Sequence, residues 1–235
     1  TFNKVWYDST DTVVAISKVT YDIEKNVSPK VDVHYLPHAV DASIFKPLKE
    51  EEKLELRKNT GFDKDKFIVF WNNRNARRKQ PGSLLFWFKE FLDRVGHDKA
   101  VLLMHTDPLD SNGPNLNSIL QELKMTEGQV KFSTNKIDFS QMAALYNIAD
   151  VTVNISDAEG FGLSTLESLN CETPIIVNMT GGLQEQVTDG EEWFGIGIEP
   201  SSKSVIGSQD IPFIYEDRIS KEDFVSALEK MYNMS

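Results

Sequence analysis

The sequence is poor in cysteine, in long apolar runs and in positive charge. A single cysteine, Cys171, excludes an internal disulfide and a cysteine-based metal cluster, and it is typical of a reducing compartment, so we expect a cytoplasmic location. No apolar run approaches the roughly 18 residues that span a bilayer, which predicts no transmembrane segment. The formal net charge of -11 argues against unaided binding to nucleic acid or anionic lipid.

The most informative stretch runs from residue 147 to residue 190. Apolar residues alternate over 150–155, which predicts a strand. A turn with glycines follows, then leucines at helical spacing predict a helix that ends before Pro174, and residues 175–177 predict a second strand. Such a unit implies parallel strands joined by a crossover helix. We therefore expect an α/β domain with a Rossmann-like parallel sheet flanked by helices.

Two carboxylates give this stretch its chemistry. Glu159 lies in the turn, and Glu167 lies in the helix that begins near Gly162. The unpaired N–H groups at the start of that helix favour a phosphate. A carboxylate one turn further along suits sugar hydroxyls, so Glu167 is expected to bind a ribose diol and Glu159 a hexose or an acceptor. The alternative is that Glu159 is a loop charge and Glu167 a solvated helix residue.

The segment from Glu159 to Glu167 reads EGFGLSTLE, with Thr173-Pro174 and Gly181-Gly182 after it. This pattern resembles the E-x7-E region of retaining GT-B glycosyltransferases of family 4, also called glycosyl transferases group 1, in their C-terminal donor-binding domain. The resemblance implies that the first glutamate approaches the donor sugar and the second binds the ribose. It also implies that the donor is held by Gly160, Phe161, Gly162, Leu163, Ser164 and Glu167.

A polar and basic segment, NNRNARRKQ at residues 72–80, follows the apolar strand predicted at 67–71. Arginine offers a planar fork to a diphosphate, and lysine offers a compact charge. The resemblance assigns Arg74 and Lys79 to the family's diphosphate-binding pair, and with Glu159 they are the expected catalytic residues. The family usually has glycine where this chain has Asn73 and Gln80.

The sequence leaves open whether Arg77 or Arg78 also binds the diphosphate. A basic surface loop that faces an acidic patch is the alternative reading of the whole segment. The position of the loop, at the carboxyl end of a strand, favours the diphosphate.

Three further residues are expected near the donor. Thr106 follows the strand predicted at 100–105, and Lys136 and Ile137 lie in a loop that covers the nucleobase in relatives. The sequence also contains Asp63-Lys64-Asp65, formally a D-x-D metal pattern. Its place in a lysine-rich turn indicates a solvated loop, so we expect no metal and no cofactor other than the nucleotide-sugar substrate.

The chain divides into two predicted parts. Residues 1–40, with strands expected at 12–17 and 31–36, resemble the end of an acceptor-binding N-terminal domain and its crossover linker, in which His38 replaces the usual asparagine. Residues 41–235 form the nucleotide-sugar-binding domain. Within them, residues 201–209 are expected to form a loop that could reach over the donor, and Glu185 is expected to cap or orient the helix after it. Since the chain does not begin with methionine, a piece of a longer protein is expected.

The predicted function is transfer of a sugar from a nucleotide-diphosphate sugar to a glycan, lipid or small-molecule acceptor with retention. This chain would be mainly the donor half, and weakly active or inactive without the missing N-terminal half-domain. The alternatives are a non-catalytic domain and a dinucleotide-binding Rossmann module. The second fits poorly, because the third glycine of G-x-G-x-x-G would fall at Thr165 and the next strand ends at Asn178 rather than at an acid.

Overall fold

The computed structural model describes residues 3–235. The first part of the chain contains α1 (Lys4–Tyr7), β1 (Thr12–Ala15), α2 (Lys18–Val27) and β2 (Asp32–Tyr35). The remainder contains α3 (Glu50–Asn59), β3 (Phe67–Asn72), α4 (Pro81–Val95), β4 (Ala100–His105), α5 (Leu116–Glu122), β5 (Val130–Ser133), α6 (Phe139–Ile148), β6 (Val151–Asn154), α7 (Leu163–Asn170), β7 (Ile175–Asn178), α8 (Gln184–Val187), β8 (Gly195–Ile198), β9 (Ser202–Ile206), β10 (Ile214–Arg218) and α9 (Lys221–Tyr232).

A six-stranded parallel sheet forms the centre of the molecule, with the strand order β5-β4-β3-β6-β7-β8. The chain adds strands in one direction from β3 to β5 and in the opposite direction from β6 to β8. In an open α/β sheet, this reversal leaves a crevice at the carboxyl ends of the two central strands, and ligands bind there. The predicted α/β class with a Rossmann-like parallel sheet is confirmed.

The central strands are apolar on both faces because helices cover both sides of the sheet. In β3, Phe67, Val69 and Trp71 pack into the core that is completed by α4 and α9. The alternate residues Ile68 and Phe70 pack into the opposite core, which is completed by α6. This double packing fixes the sheet, so the loops at its strand ends have a rigid base.

The expected loop at 201–209 is wrong for most of its length. Residues Ser202–Ile206 form β9, which pairs antiparallel with β10. Few side chains of β9 are buried, so its sequence shows no apolar alternation. The prediction also omitted β8, because its glycines are poor strand formers. A Cβ at Gly195 would lie 1.9 Å from the Ile175 carbonyl oxygen, so the close strand pairing requires glycine there.

The first part of the chain contains a parallel pair of strands, β1 and β2, with α2 between them in sequence. It is joined to the main sheet through Glu185, in α8. That carboxylate accepts hydrogen bonds from the Lys18 backbone N–H (2.6 Å) and from the Tyr35 hydroxyl (2.9 Å). Burial, together with Glu185, raises the pKa of Tyr35 to about 12. The sequence predicts that Glu185 caps or orients the helix after it; in the structure it lies inside α8 and binds the first N–H of α2, whose N-cap is Ser17.

Within residues 3–235, no helix combines the length and the apolar character that crossing a bilayer requires.

Candidate active site

The loop after β3 ends in a sharp turn. Arg77–Lys79 form a short 3₁₀ helix, and Gln80 then adopts a left-handed conformation, with φ of 56°, before Pro81 begins α4. Glycine usually occupies such a position because it has no Cβ to clash. Here the glutamine side chain is held at both ends: it donates to Asp157 (2.5 Å) and accepts from Ser83 (2.6 Å). These bonds fix the turn in spite of the missing glycine.

The loop after β6 packs against a pair of glycines from the end of β7. The Gly182 N–H donates to the Glu159 carbonyl oxygen (3.2 Å), and a Cβ at Gly181 would lie 1.7 Å from that same oxygen. Gly162, with φ of 94°, then begins α7. The glycines therefore hold Glu159 in place through its backbone.

These two loops meet in an ion pair. The Lys79 ammonium contacts the Glu159 carboxylate, and both side chains are close to nine-tenths buried. Burial lowers the pKa of Lys79, and the neighbouring Glu159 opposes that effect. Arg78 donates to the Ala158 carbonyl (2.6 Å), and its guanidinium lies 3.7 Å from the Glu159 carboxylate. Two cations thus adjoin one carboxylate at the crevice between β3 and β6.

Glu167 lies on the second turn of α7, and its environment differs from that of Glu159. Its Oε2 accepts a hydrogen bond from the Tyr146 hydroxyl (2.7 Å), which in turn accepts one from the Asn72 side-chain amide (2.8 Å). Burial raises the pKa of Glu167. The structure therefore places the Glu167 carboxylate near the end of β3, next to the loop of Lys79. One of its two oxygens is already hydrogen-bonded.

A family model described as "Glycosyl transferases group 1" matches residues 52–231. The chain belongs to this family. Among curated proteins, this glycosyltransferase domain is similar to the mannosylfructose-phosphate synthase of Agrobacterium fabrum. The two are 26% identical over 206 residues, which cover 86% of this chain and 44% of the relative.

Solved structures show the same fold. Sucrose-phosphate synthase from Thermosynechococcus elongatus superposes with a TM-score of 0.76 at 23% identity, over 98% of this chain and 51% of that one. HepE of Anabaena, solved in complex with UDP and glucose, gives a TM-score of 0.70 at 15% identity, over 94% and 53%. The glycosyltransferase domain thus spans about half the length of the proteins that it matches, and the GT-B likeness expected from its sequence is confirmed.

Arg74 belongs to a second ion pair in the glycosyltransferase domain. Its guanidinium makes two hydrogen bonds to the Asp110 carboxylate, at 2.7 and 3.3 Å. Arg74 holds the pKa of Asp110 well below its usual range. Arg74 and Lys79 thus contact different carboxylates, and their joint binding of a diphosphate stays a prediction.

The other expected donor-binding residues lie around the same strand ends. Phe161 is buried, and its ring packs edge-on against the His38 ring, with ring centroids 5.2 Å apart. Gly160 and Leu163 are exposed, and Ser164, in the first turn of α7, is half-buried.

Thr106 is buried at the end of β4, and its hydroxyl has no hydrogen-bond partner within residues 3–235. Lys136 is exposed and Ile137 half-buried in the loop between β5 and α6.

A cluster of charges around two buried carboxylates lies behind the loops and was not predicted from the sequence. Glu216 of β10 is paired with Arg77 (2.9 Å) and with Arg218 (3.0 Å). Asp157, also buried, lies 3.7 Å from the Arg218 guanidinium, and burial raises its pKa to about 6. These contacts attach the β9–β10 hairpin to the loop of Lys79. No local signal predicts the pairing of Glu216 with Arg77, because the two residues are 139 positions apart.

In the part of the chain that the structure describes, no three His, Cys, Asp or Glu side chains are grouped to hold a metal ion. The expectation that catalysis needs no metal stays a prediction.

Proposed function

We propose that this chain is the donor-binding half of a glycosyltransferase that uses a nucleotide-diphosphate sugar and retains the anomeric configuration. The observation that carries the proposal is the buried Lys79–Glu159 pair beside the start of α7. It lies where the strand order of the sheet reverses, which is the ligand-binding position in open α/β sheets.

In the proposed reaction the bond between the sugar C1 and the diphosphate oxygen breaks, and its electron pair leaves with the diphosphate. Charges positioned before the reaction stabilise such a leaving group most effectively. Lys79, Arg78 and the free N–H groups at the start of α7 would supply them. Since Lys79 contacts Glu159, a bound diphosphate would compete with Glu159 for the ammonium. Glu159 is then released to bind the hydroxyls of the sugar or to steady its developing positive charge.

The nucleoside end of the donor is assigned to the remaining residues. We place the ribose diol on Glu167, a polar group of the nucleotide on the unpartnered Thr106 hydroxyl, and the nucleobase near Lys136 and Ile137. Arg74 can join the diphosphate only by leaving Asp110. We propose that these cations, rather than a metal ion, balance the charge of the diphosphate.

We also propose that residues 1–40 belong to an acceptor-binding half, with residues 41–235 as the donor domain. Parallel sheets are normally covered on both faces, yet β1 and β2 form a sheet of two strands. Val14, Ile23 and Leu36 of this part are exposed. A glycan-type acceptor would bind against the completed half, so this chain alone is expected to transfer sugar weakly or not at all. A cytoplasmic location is proposed from the single cysteine.

Calorimetry with UDP, GDP, ADP, NAD and NADP tests the proposal. UDP is the first probe, because HepE was solved in complex with it. One nucleoside diphosphate should bind, and Glu167→Ala should weaken its binding, whereas Glu55→Ala, an exposed helical glutamate on α3, should not. Binding of NAD or NADP in the absence of nucleoside diphosphate binding would refute the glycosyltransferase function.

A further inference from the structure

A chain of hydrogen bonds connects the end of β3 with the Glu167 carboxylate. The Asn72 Nδ2 atom lies 2.8 Å from the Tyr146 Oη, which lies 2.7 Å from Oε2 of Glu167. Asn72, Tyr146 and Glu167 come from β3, α6 and α7, so three separate elements converge on this contact. Its geometry does not follow from the fold of any single segment.

The number of protons fixes the direction of this chain. An amide nitrogen only donates, and a phenol has one proton to give. Since the Tyr146 oxygen accepts from Asn72, its single proton is directed to Glu167. The Asn72 Nδ2 also lies 3.3 Å from the Met142 sulfur, a weak acceptor, which fits a nitrogen rather than an oxygen at that position.

The ring and the hydroxyl of Tyr146 have separate surroundings. The ring is fully buried and makes edge-on contacts with Phe70 and Phe45, with centroids 5.0 and 6.2 Å apart. Phenylalanine would preserve those contacts. Burial, reinforced by Glu167, raises the pKa of Tyr146 well above its ordinary value, so the phenol keeps its proton at neutral pH.

We propose that Tyr146 is a positioning residue for nucleotide binding, because its hydroxyl holds one oxygen of Glu167 and leaves the other free to accept from the ribose diol. The inference rests on the proposed function, in which Glu167 binds the ribose. Asn72 supports the tyrosine by donating a hydrogen bond to its hydroxyl oxygen, so the hydroxyl proton stays directed at Glu167. Tyr146 itself does not touch the nucleotide.

Without the hydroxyl, Glu167 keeps its charge but loses the hydrogen bond that orients its carboxylate. The loss of one hydrogen bond to a charged group should weaken nucleotide binding roughly tenfold. The effect should appear only with ligands that carry a diol, because the tyrosine acts through the ribose contact.

The test compares Tyr146→Phe, Glu167→Gln and the double variant with the unaltered chain. The probes are the nucleoside diphosphate that binds among UDP, GDP and ADP, its 2′,3′-dideoxy form, and inorganic pyrophosphate. Thr152→Val is the matched control, because it removes a buried hydroxyl that bonds Ser168 (2.8 Å), the neighbour of Glu167 on α7, and keeps the bond between Tyr146 and Glu167. Thermal midpoints check that every variant folds.

We expect Tyr146→Phe to weaken the ribonucleotide about tenfold while leaving the dideoxynucleotide and pyrophosphate unchanged. The double variant should be no weaker than Glu167→Gln, because both changes act on one contact. Thr152→Val should change none of the affinities.

Three results would overturn the proposal. If Tyr146→Phe weakens the ribonucleotide and dideoxynucleotide equally, the tyrosine is only structural. If Glu167→Gln loses affinity and Tyr146→Phe does not, the function stands and the positioning role fails. If the unaltered chain binds none of the diphosphates, the proposed function fails and this inference fails with it.

Discussion

Two ion pairs involve cations from opposite ends of one loop, and they differ mainly in burial. The side chains of Lys79 and Glu159 are 10% and 11% exposed, whereas those of Arg74 and Asp110 are 66% and 16% exposed. In the sequence the two cations appear equivalent, five residues apart in a single segment. In the structure their charge interactions differ in strength, because charges interact far more strongly when water is excluded. The buried pair is therefore expected to dominate diphosphate binding.

The largest effect should follow from removing the buried cation. Lys79→Ala leaves Glu159 without its close partner and places an uncompensated carboxylate beside the diphosphate. The diphosphate also loses a buried charged partner, which costs about 2–5 kcal/mol of binding, so nucleotide affinity should fall by roughly 100-fold. Calorimetry measures the loss. Lys66→Ala, at the opposite end of β3, is the control and should bind normally. Equal losses in both variants would contradict the role of Lys79.

The opposite change should strengthen binding. Glu159→Gln removes the charge that competes for Lys79, so pyrophosphate and the nucleoside diphosphate should bind about three- to tenfold more tightly. Sugar transfer by the full-length protein should fall nevertheless, because the carboxylate is lost from the sugar. Titration with pyrophosphate isolates the first effect. Weaker pyrophosphate binding would mean that Glu159 assists the phosphate rather than competing with it.

A third experiment concerns the buried charges behind the loop. Burial raises the pKa of Asp157 from 3.8 to about 6, so the folded protein holds this proton more tightly than the unfolded chain does. Its contribution to stability is therefore complete below the unfolded pKa and lost as the pH rises through about 6. Between pH 4 and pH 7, the free energy of unfolding of the unaltered chain should fall by about 1–3 kcal/mol more than that of Asp157→Asn. Thermal denaturation at pH 4 and pH 7 measures the difference; parallel curves would contradict the assignment.

The smallest effect is expected at the exposed pair. Arg74→Ala should weaken nucleotide binding by about tenfold or less, because the guanidinium is largely solvated. Asp110→Asn should strengthen it slightly, since it frees Arg74 for the diphosphate. Both effects should fade in high salt, whereas the effect of Lys79→Ala should persist. A loss from Arg74→Ala as large as that from Lys79→Ala would remove the distinction between the two pairs.

The sequence predicted the elements that carry strong local patterns. β3 and β4 are continuous apolar runs, and the strand, turn and helix around Glu159 combine alternation, glycines and helical spacing. Such signals lie within a few residues of each other, so they can be read without the fold. The resemblance to a family added roles for Glu159 and Glu167, and these roles stay predictions.

The contacts that the sequence did not predict depend on distant residues. Tyr146 and Glu167 are 21 residues apart, Arg74 and Asp110 are 36 apart, and Arg77 and Glu216 are 139 apart. Which carboxylate Lys79 meets depends on the 3₁₀ turn, which Gln80 ends without the usual glycine. Strand β9 escaped prediction because its pairing with β10 involves mostly exposed side chains. Local patterns thus located the loops but not the pairing of the charges within them.

The Glu185 carboxylate has a practical consequence for recombining such proteins. It is attached to α2 and Tyr35 on one side, and the residues just before it, Gly181 and Gly182, pack against the backbone of Glu159 on the other. A chimera that replaces residues 3–40 with the same part of a relative would need to keep a hydroxyl at position 35 and an open helix start at Lys18. Without them, the contact between the two parts would loosen close to the loop of Glu159.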